Sequence, residues 1–159
     1  MRKPRDEAWA WRYLSRLLAV RPRTEAEVCR RLSEKGCPPQ VVEATLRRAR
    51  QAGLVDDALF ARLYAEDRLS SRPRARRLVA HELRARGVEP ATARRVAQSV
   101  LPECDDRELA RRALRARLPL WQGLPREPVK RRAYAFLLRR GFPPAVAREA
   151  VEELVAGEG

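Results

Sequence analysis

Histidine occurs once in these 159 residues, at position 81. A Ser–His or Cys–His nucleophilic pair would have to be built on that one imidazole. His81 falls one turn from Leu78 on an arginine-rich helical stretch, so it reads as a surface residue. Glycine is scarce too, with seven in all, and none belongs to a GxxxxGK[ST] or GxGxxG loop that would wrap a phosphate in backbone amides. The three cysteines, Cys29, Cys37 and Cys104, are odd in number and lack metal-ligand spacing. They read as ordinary small residues with reduced thiols, as in a cytosol. No apolar run approaches the roughly 20 residues needed to cross a bilayer. The opening stretch from Met1 to Glu7 lacks the apolar segment of a secretory signal. The expectation is a cytoplasmic protein without membrane contact, without a metal or cofactor, and without enzymatic activity.

What the chain has in abundance is arginine. Lys and Arg number 35 against 21 Asp and Glu, a formal net charge of +14. Residues 1–53 carry 13 basic and 6 acidic groups, residues 54–102 carry 10 and 6, and residues 103–159 carry 12 and 9. The excess is therefore spread along the chain. Such a field concentrates polyanions near the surface, and nucleic acid is the commonest of these.

Ala, Leu, Arg and Glu dominate the rest, all good helix formers, and no stretch alternates apolar and polar residues as a strand would. The fold class read from this is all-α. Asp6 opens a helix with Trp9, Tyr13, Leu14, Leu17 and Leu18 on its apolar face, broken at Arg21-Pro22. Thr24 and Glu27 form a capping-box pattern before a second helix that presents Val28 and Leu32 and stops at Gly36. Pro38-Pro39 opens a third, lined by Val41, Val42, Leu46 and Ala49 and closed by Gly53.

The same grammar returns 51 residues later. Asp6 maps on Asp57, Trp9 on Phe60, Tyr13 on Tyr64, Arg21-Pro22 on Arg72-Pro73, Leu32 on Leu83 and Gly36 on Gly87. In this second copy Phe60, Leu63 and Tyr64 mark one buried stripe, and Leu78, Val79 and Leu83 another. A looser third copy begins at Asp105-Asp106. It carries a longer linker, Pro119 to Pro125, in which Trp121 can serve as an anchor, and it resumes with Ala133, Leu137, Gly141, Val151 and Leu154. The expected architecture is a tandem array of three three-helix repeats, about nine helices, at residues 1–53, 54–102 and 103–159. A period near 50 with helical units means neighbours stack, because one unit alone buries little. Three units in a row give an elongated body of about 60 Å with room for curvature.

Asp56-Asp57 and Asp105-Asp106 resemble metal-binding carboxylates, but their place ahead of two helices assigns them to capping, worth about 1 kcal/mol each. Trp9 takes the slot of Phe60 and belongs to the core, whereas Trp11 falls off that stripe. The functional signal is the arginine clusters, whose guanidiniums can grip phosphate or carboxylate in two-pronged fashion. The strongest runs through the turn and helix start at Arg68, Arg72, Arg74, Arg76 and Arg77, and continues to Arg84. Others are Arg47 and Arg48, Arg94 and Arg95, and Arg111, Arg112 and Arg115 with Arg117; Arg131-Arg132 and Arg139-Arg140 flank a later helix. The helices opening at Pro39 and Pro90 lack the Asn and Gln that read base edges, so any DNA contact is to the backbone.

The run from Gly53 to Arg68, GLVDDALFARLYAEDR, resembles the GLLDDxxFAxxYVxxR signature of the bacterial RecX regulatory family. Arg21 to Val28, Leu32 to Gly36 and Leu83 to Val88 resemble its repeats, and the likeness extends over nearly the whole chain. Val55 and Ala65 depart from the signature, and the 119–125 linker is long. The resemblance implies a non-catalytic, cytoplasmic modulator of the RecA recombinase. Such a protein binds the filament that RecA forms on single-stranded DNA and restrains ATP hydrolysis, strand exchange and filament growth, and with them recombination, DNA repair and the SOS response. Partners expected on that reading are the RecA filament and single- and double-stranded DNA without sequence preference, met by a monomer. The rival readings are a non-specific, architectural DNA-binding protein and an adaptor whose arginines pair with acidic protein surfaces.

Overall fold

The computed structural model describes residues 3–157, and among them nine α-helices and one 3-10 turn are found and no strand. The helices are α1 (Glu7–Val20), α2 (Glu25–Glu34), α3 (Pro39–Gln51), α4 (Asp57–Ser71), α5 (Arg76–Ala85), α6 (Pro90–Ser99), α7 (Asp106–Arg117), α8 (Arg126–Arg139) and α9 (Pro144–Ala156). The 3-10 turn, Leu118–Trp121, lies between α7 and α8. Among the described residues no helix is long and apolar enough to cross a membrane.

Helix starts are set by the acidic caps. Asp6, Asp56 and Asp105 each accept from the backbone N–H three residues on, at 2.8, 3.1 and 2.8 Å. The cap equivalent to Asp6 is thus Asp56, one residue earlier than the core register places it. Thr24 accepts from Glu27 N at 3.2 Å, but Glu27 does not reach back; its carboxylate lies 3.5 Å from Arg21 instead. The other half of the expected capping box is replaced by an ion pair.

Side-chain burial follows the repeat. Ala10 and Leu14 are buried on α1, Ala61 and Ala65 on α4, and Ala110 and Leu114 on α7. Phe60 and Leu69 complete the buried stripe of α4. Leu63 does not belong to it, being 46% exposed, and Tyr64 is only partly covered. Small alanines, rather than the bulky residues, mark the helix face pressed against its neighbours. Trp121 is buried, edge-on to Phe136 at 6.1 Å between centroids, and it pins the long linker.

The closely packed helix pairs all lie within α1–α3, α4–α6 or α7–α9, here called modules one, two and three. Packing between modules is sparser than within them, which leaves the body extended. Its accessible surface is 9886 Å² at 18.2 kDa, against about 8,100 Å² for a compact globule of that mass.

Candidate polyanion interface

The thirteen arginines singled out from the sequence fall into three groups. In the first, the guanidinium is occupied by the fold. Arg76 is 7% exposed and was expected to face outward. Its two terminal nitrogens donate to the carbonyls of Ala97, Val100, Leu101 and Cys104. Those carbonyls lie at the end of α6 and in the connection to α7, where Leu101 adopts a left-handed φ of 49°. Where a glycine would ordinarily close the helix, this chain has a leucine, and Arg76 satisfies the carbonyls left open. Arg76 is a structural clamp and is not available to a partner. Arg74, mostly buried, donates to both carboxylate oxygens of Glu82 at 2.9 Å.

The second group is partly or fully exposed but already engaged, mostly by acid. Arg111, Arg112 and Arg115 converge on Glu108 at 3.0, 3.0 and 3.1 Å, and Arg111 also meets Glu153 at 3.2 Å. Hydrogen bonds from Arg112 and Arg111 hold the Glu108 carboxyl below its usual range. Arg47 pairs with Glu43 at 3.4 Å. Arg68 pairs with Asp67 and lies over the Tyr64 ring, 4.6 Å from its centroid. Arg77 donates through Nε to the Gly141 carbonyl, a contact between modules two and three.

The third group has no ion pair among the described residues. Arg72, Arg84, Arg94 and Arg95 are exposed. Arg48 stacks 3.8 Å from the centroid of Trp11, which is thereby half covered and not a free stacking platform.

Sequence reasoning gave less weight to Arg86, Arg117 and Arg140, which the fold brings to the places where modules meet. Arg117 and Arg140 flank the Phe136 ring at 4.9 and 5.1 Å from its centroid. Arg86 lies 4.6 Å over Tyr64, on which Arg68 also sits. Their signal was present as the spacing of arginines relative to the Arg-Pro turns, but it becomes legible only once consecutive modules are superposed. The described residues hold no group of three or more His, Cys, Asp or Glu able to bind a metal ion. This geometry offers cationic, aromatic-backed grooves suited to holding anions.

The helix order and module sizes match known proteins. Residues 10–48 match the model of the first three-helix domain of RecX, residues 56–96 the second and residues 105–151 the third. The regulatory protein RecX of Thermobifida fusca is 38% identical over 144 residues, covering 91% of this chain and 77% of that protein. The one from Streptomyces coelicolor is 34% identical over 157 residues, covering 98% and 83%. Among solved structures, a crystal structure of regulatory protein RecX superposes with a TM-score of 0.75 at 22% identity, over 92% of this chain and 73% of that one. RecX from Lactobacillus salivarius gives 0.71 at 14% identity, over 94% and 96%. With three successive domain models matched in order and relatives above one-third identity along most of its length, the chain belongs to the RecX family of regulatory proteins.

Proposed function

We propose that this protein is a negative regulator of the RecA recombinase, binding the RecA–single-stranded DNA filament in the cytoplasm and inhibiting its ATPase, strand exchange and growth. The observation that carries the reading is the family membership joined to an extended three-module body with cationic groups along its length. An extended basic body suits a track of phosphates running through a helical nucleoprotein filament. In the mechanism proposed, the modules bridge adjacent recombinase subunits and impede the motions coupled to ATP turnover. The functional units are residues 1–53, 54–102 and 103–159, acting together as a monomer.

The test is RecA ATPase on single-stranded DNA with and without this protein across a salt series. Inhibition at moderate salt is expected, together with weaker inhibition by any single module. Binding to naked duplex with no effect on the ATPase would restore the architectural DNA-binding reading. Equal potency of one module would end the bridging mechanism.

A further inference from the structure

Two grooves lie where modules meet, and they are copies of one another. Between modules one and two, a groove of about 510 Å³ is lined by the Arg21-Pro22 turn, Arg68 of α4 and Arg86 at the end of α5. Between modules two and three, one of about 400 Å³ is lined by the Arg72-Pro73 turn, Arg117 of α7 and Arg140 at the end of α8. Arg72 follows Arg21 by 51 residues, Arg117 follows Arg68 by 49 and Arg140 follows Arg86 by 54, which are the offsets of the turns, first helices and second helices themselves. In each groove two arginines flank a single aromatic ring. The ring is Tyr64, from the first helix, in one groove and Phe136, from the second helix, in the other.

The copies differ in acid. In the first groove Asp67 pairs with Arg68, and Glu82 accepts from the Tyr64 hydroxyl at 2.5 Å. In the second, Ala116 stands at the position of Asp67 and Phe136 at that of Glu82. No carboxylate lines this groove. Three guanidiniums converge there, with Arg74 close by but held by Glu82. Arg140 carries the mark of that crowding: burial, and then the charges of Arg74, Arg117 and Arg72, push its pKa down. The one acid that also acts on Arg140, Glu82, is already taken by Arg74; like charges gathered with too little acid destabilise one another, and an anion would relieve them. Phe136 is itself buried, so it serves as a floor that keeps two guanidiniums flat and apart rather than as a platform for a base.

The occupant is polymeric. Arg117 also lines the adjoining groove with Arg131, Arg132 and Arg139, so the cationic strip follows α8 from Arg131 to Arg140, about 13 Å of helix. A lone carboxylate cannot match charge over that length, whereas successive phosphodiesters can. We propose that Arg72, Arg117 and Arg140 form a phosphodiester seat for single-stranded nucleic acid at the junction of modules two and three, and that the Arg21–Arg68–Arg86 groove is the same seat damped by Asp67. This rests on the filament-regulator reading only for the identity of the polymer.

The test uses the intact chain and a fluorescent 20-nucleotide oligothymidylate, with binding followed by anisotropy between 50 and 200 mM salt. Replacing Arg72, Arg117 and Arg140 together by Gln should flatten the slope of log affinity against log salt by about 2. The matching triple at Arg21, Arg68 and Arg86 should flatten it less. Because arginines on Phe136 also pack, the decisive variant is Ala116→Asp, an exposed change that copies the acid of the first groove. It should weaken binding by about three- to tenfold at 50 mM salt, and Asp67→Ala should tighten it. An Ala116→Asp chain that binds like its parent, or a first-groove triple with the larger effect, overturns the assignment. So does a 20-residue polyglutamate that binds as tightly and loses affinity in the same variants. RecA ATPase is read in parallel: an unaltered chain that fails to inhibit sinks the regulator reading alone, and oligonucleotide binding indifferent to Ala116→Asp sinks the seat alone.

Discussion

Where module one meets module two, Ala26 at the start of α2 lies against Gly87; where module two meets module three, Ala75 and Leu78 at the start of α5 lie against Gly141. The two glycines have φ near 90° and follow the second helix of their modules. In both junctions the carbonyl just before the glycine accepts from the cap residue of the preceding module, but the donor differs. The Thr24 hydroxyl donates to the Arg86 carbonyl at 2.5 Å, and the Ala75 backbone N–H donates to the Arg140 carbonyl at 3.0 Å. Around that shared contact the chemistry diverges. Junction one–two is polar: Asp57, from α4, accepts from the Glu25 N–H at 2.9 Å, while the Glu25 side chain is tied within module one by Arg50. Module one keeps its own apolar cluster, from Ala10 to Val55. Junction two–three lies within a single apolar cluster that runs from Phe60 to Val151. Apolar burial is non-directional and grows with area, while a few polar contacts at a corner are individually modest. We therefore expect modules two and three to unfold as one cooperative unit and module one as a separately stabilised block.

The sharpest way to break that contrast is at position 76 and its counterpart 25, which occupy the same place in α5 and α2. Arg76→Met removes a buried charge and leaves four carbonyls short of a donor. We expect a loss of about 3–5 kcal/mol in denaturant unfolding, with modules two and three melting together. Glu25→Ala removes a partly exposed ion pair and should cost under about 1 kcal/mol. Similar losses for the two would mean that the second helix is anchored with equal strength in modules one and two.

A smaller effect is expected at the glycines. A Cβ on Gly87 would lie 2.2 Å from the Ala26 Cβ, and both carbons sit directly on backbone. Gly87→Ala should therefore force modules one and two apart, lowering stability by about 2–3 kcal/mol, of which about 1–2 is the left-handed backbone itself. Small-angle scattering should show a lengthened or more variable particle, and the melt of modules two and three should fall only by the backbone part, since Gly87 ends α5 of module two. Gly36→Ala is the control. It has a similar φ of 91° but nothing within 4 Å, so only the backbone part should remain. If the two variants lose equal stability, Ala26 and Gly87 do not form the junction contact.

Much of this was legible in the chain. The glycines, the Arg-Pro turns and the acidic and proline helix starts gave the number of helices and their order, because each is a local requirement of backbone geometry. What was not legible depends on distance in space. Arg76 and Arg77 are neighbours in sequence, yet one is buried under the α6–α7 connection and the other is exposed at Gly141. No periodicity argument separates them, since Arg76 is buried for a reason found at Leu101, some 25 residues on. Leu63 was placed in the core by spacing from Phe60, but Ala61 and Ala65 take that face because close helix approach favours small side chains. The repeated grooves were hidden in the same way: their arginines come from three segments, and only the fold shows that the segments converge.

The smallest expected effect concerns charge held in reserve. Glu108 is shared by Arg111, Arg112 and Arg115 on the surface of α7, so one carboxylate offsets part of the charge of three arginines. Glu108→Gln should leave the fold intact and raise oligonucleotide affinity by about two- to fivefold at low salt, an effect that vanishes as salt screens it. The carboxyl titrates below its ordinary 4.5, so the clamp is complete at neutral pH. Its contribution to stability is present above the unfolded value and fades as pH falls through the lower folded value. The acid limb of a stability–pH profile should therefore be shallower in Glu108→Gln than in the parent. An unchanged affinity at low salt would mean that these three arginines point away from any bound polyanion. The productive surface would then be confined to the second groove and the α8 strip, where no acid stands in the way.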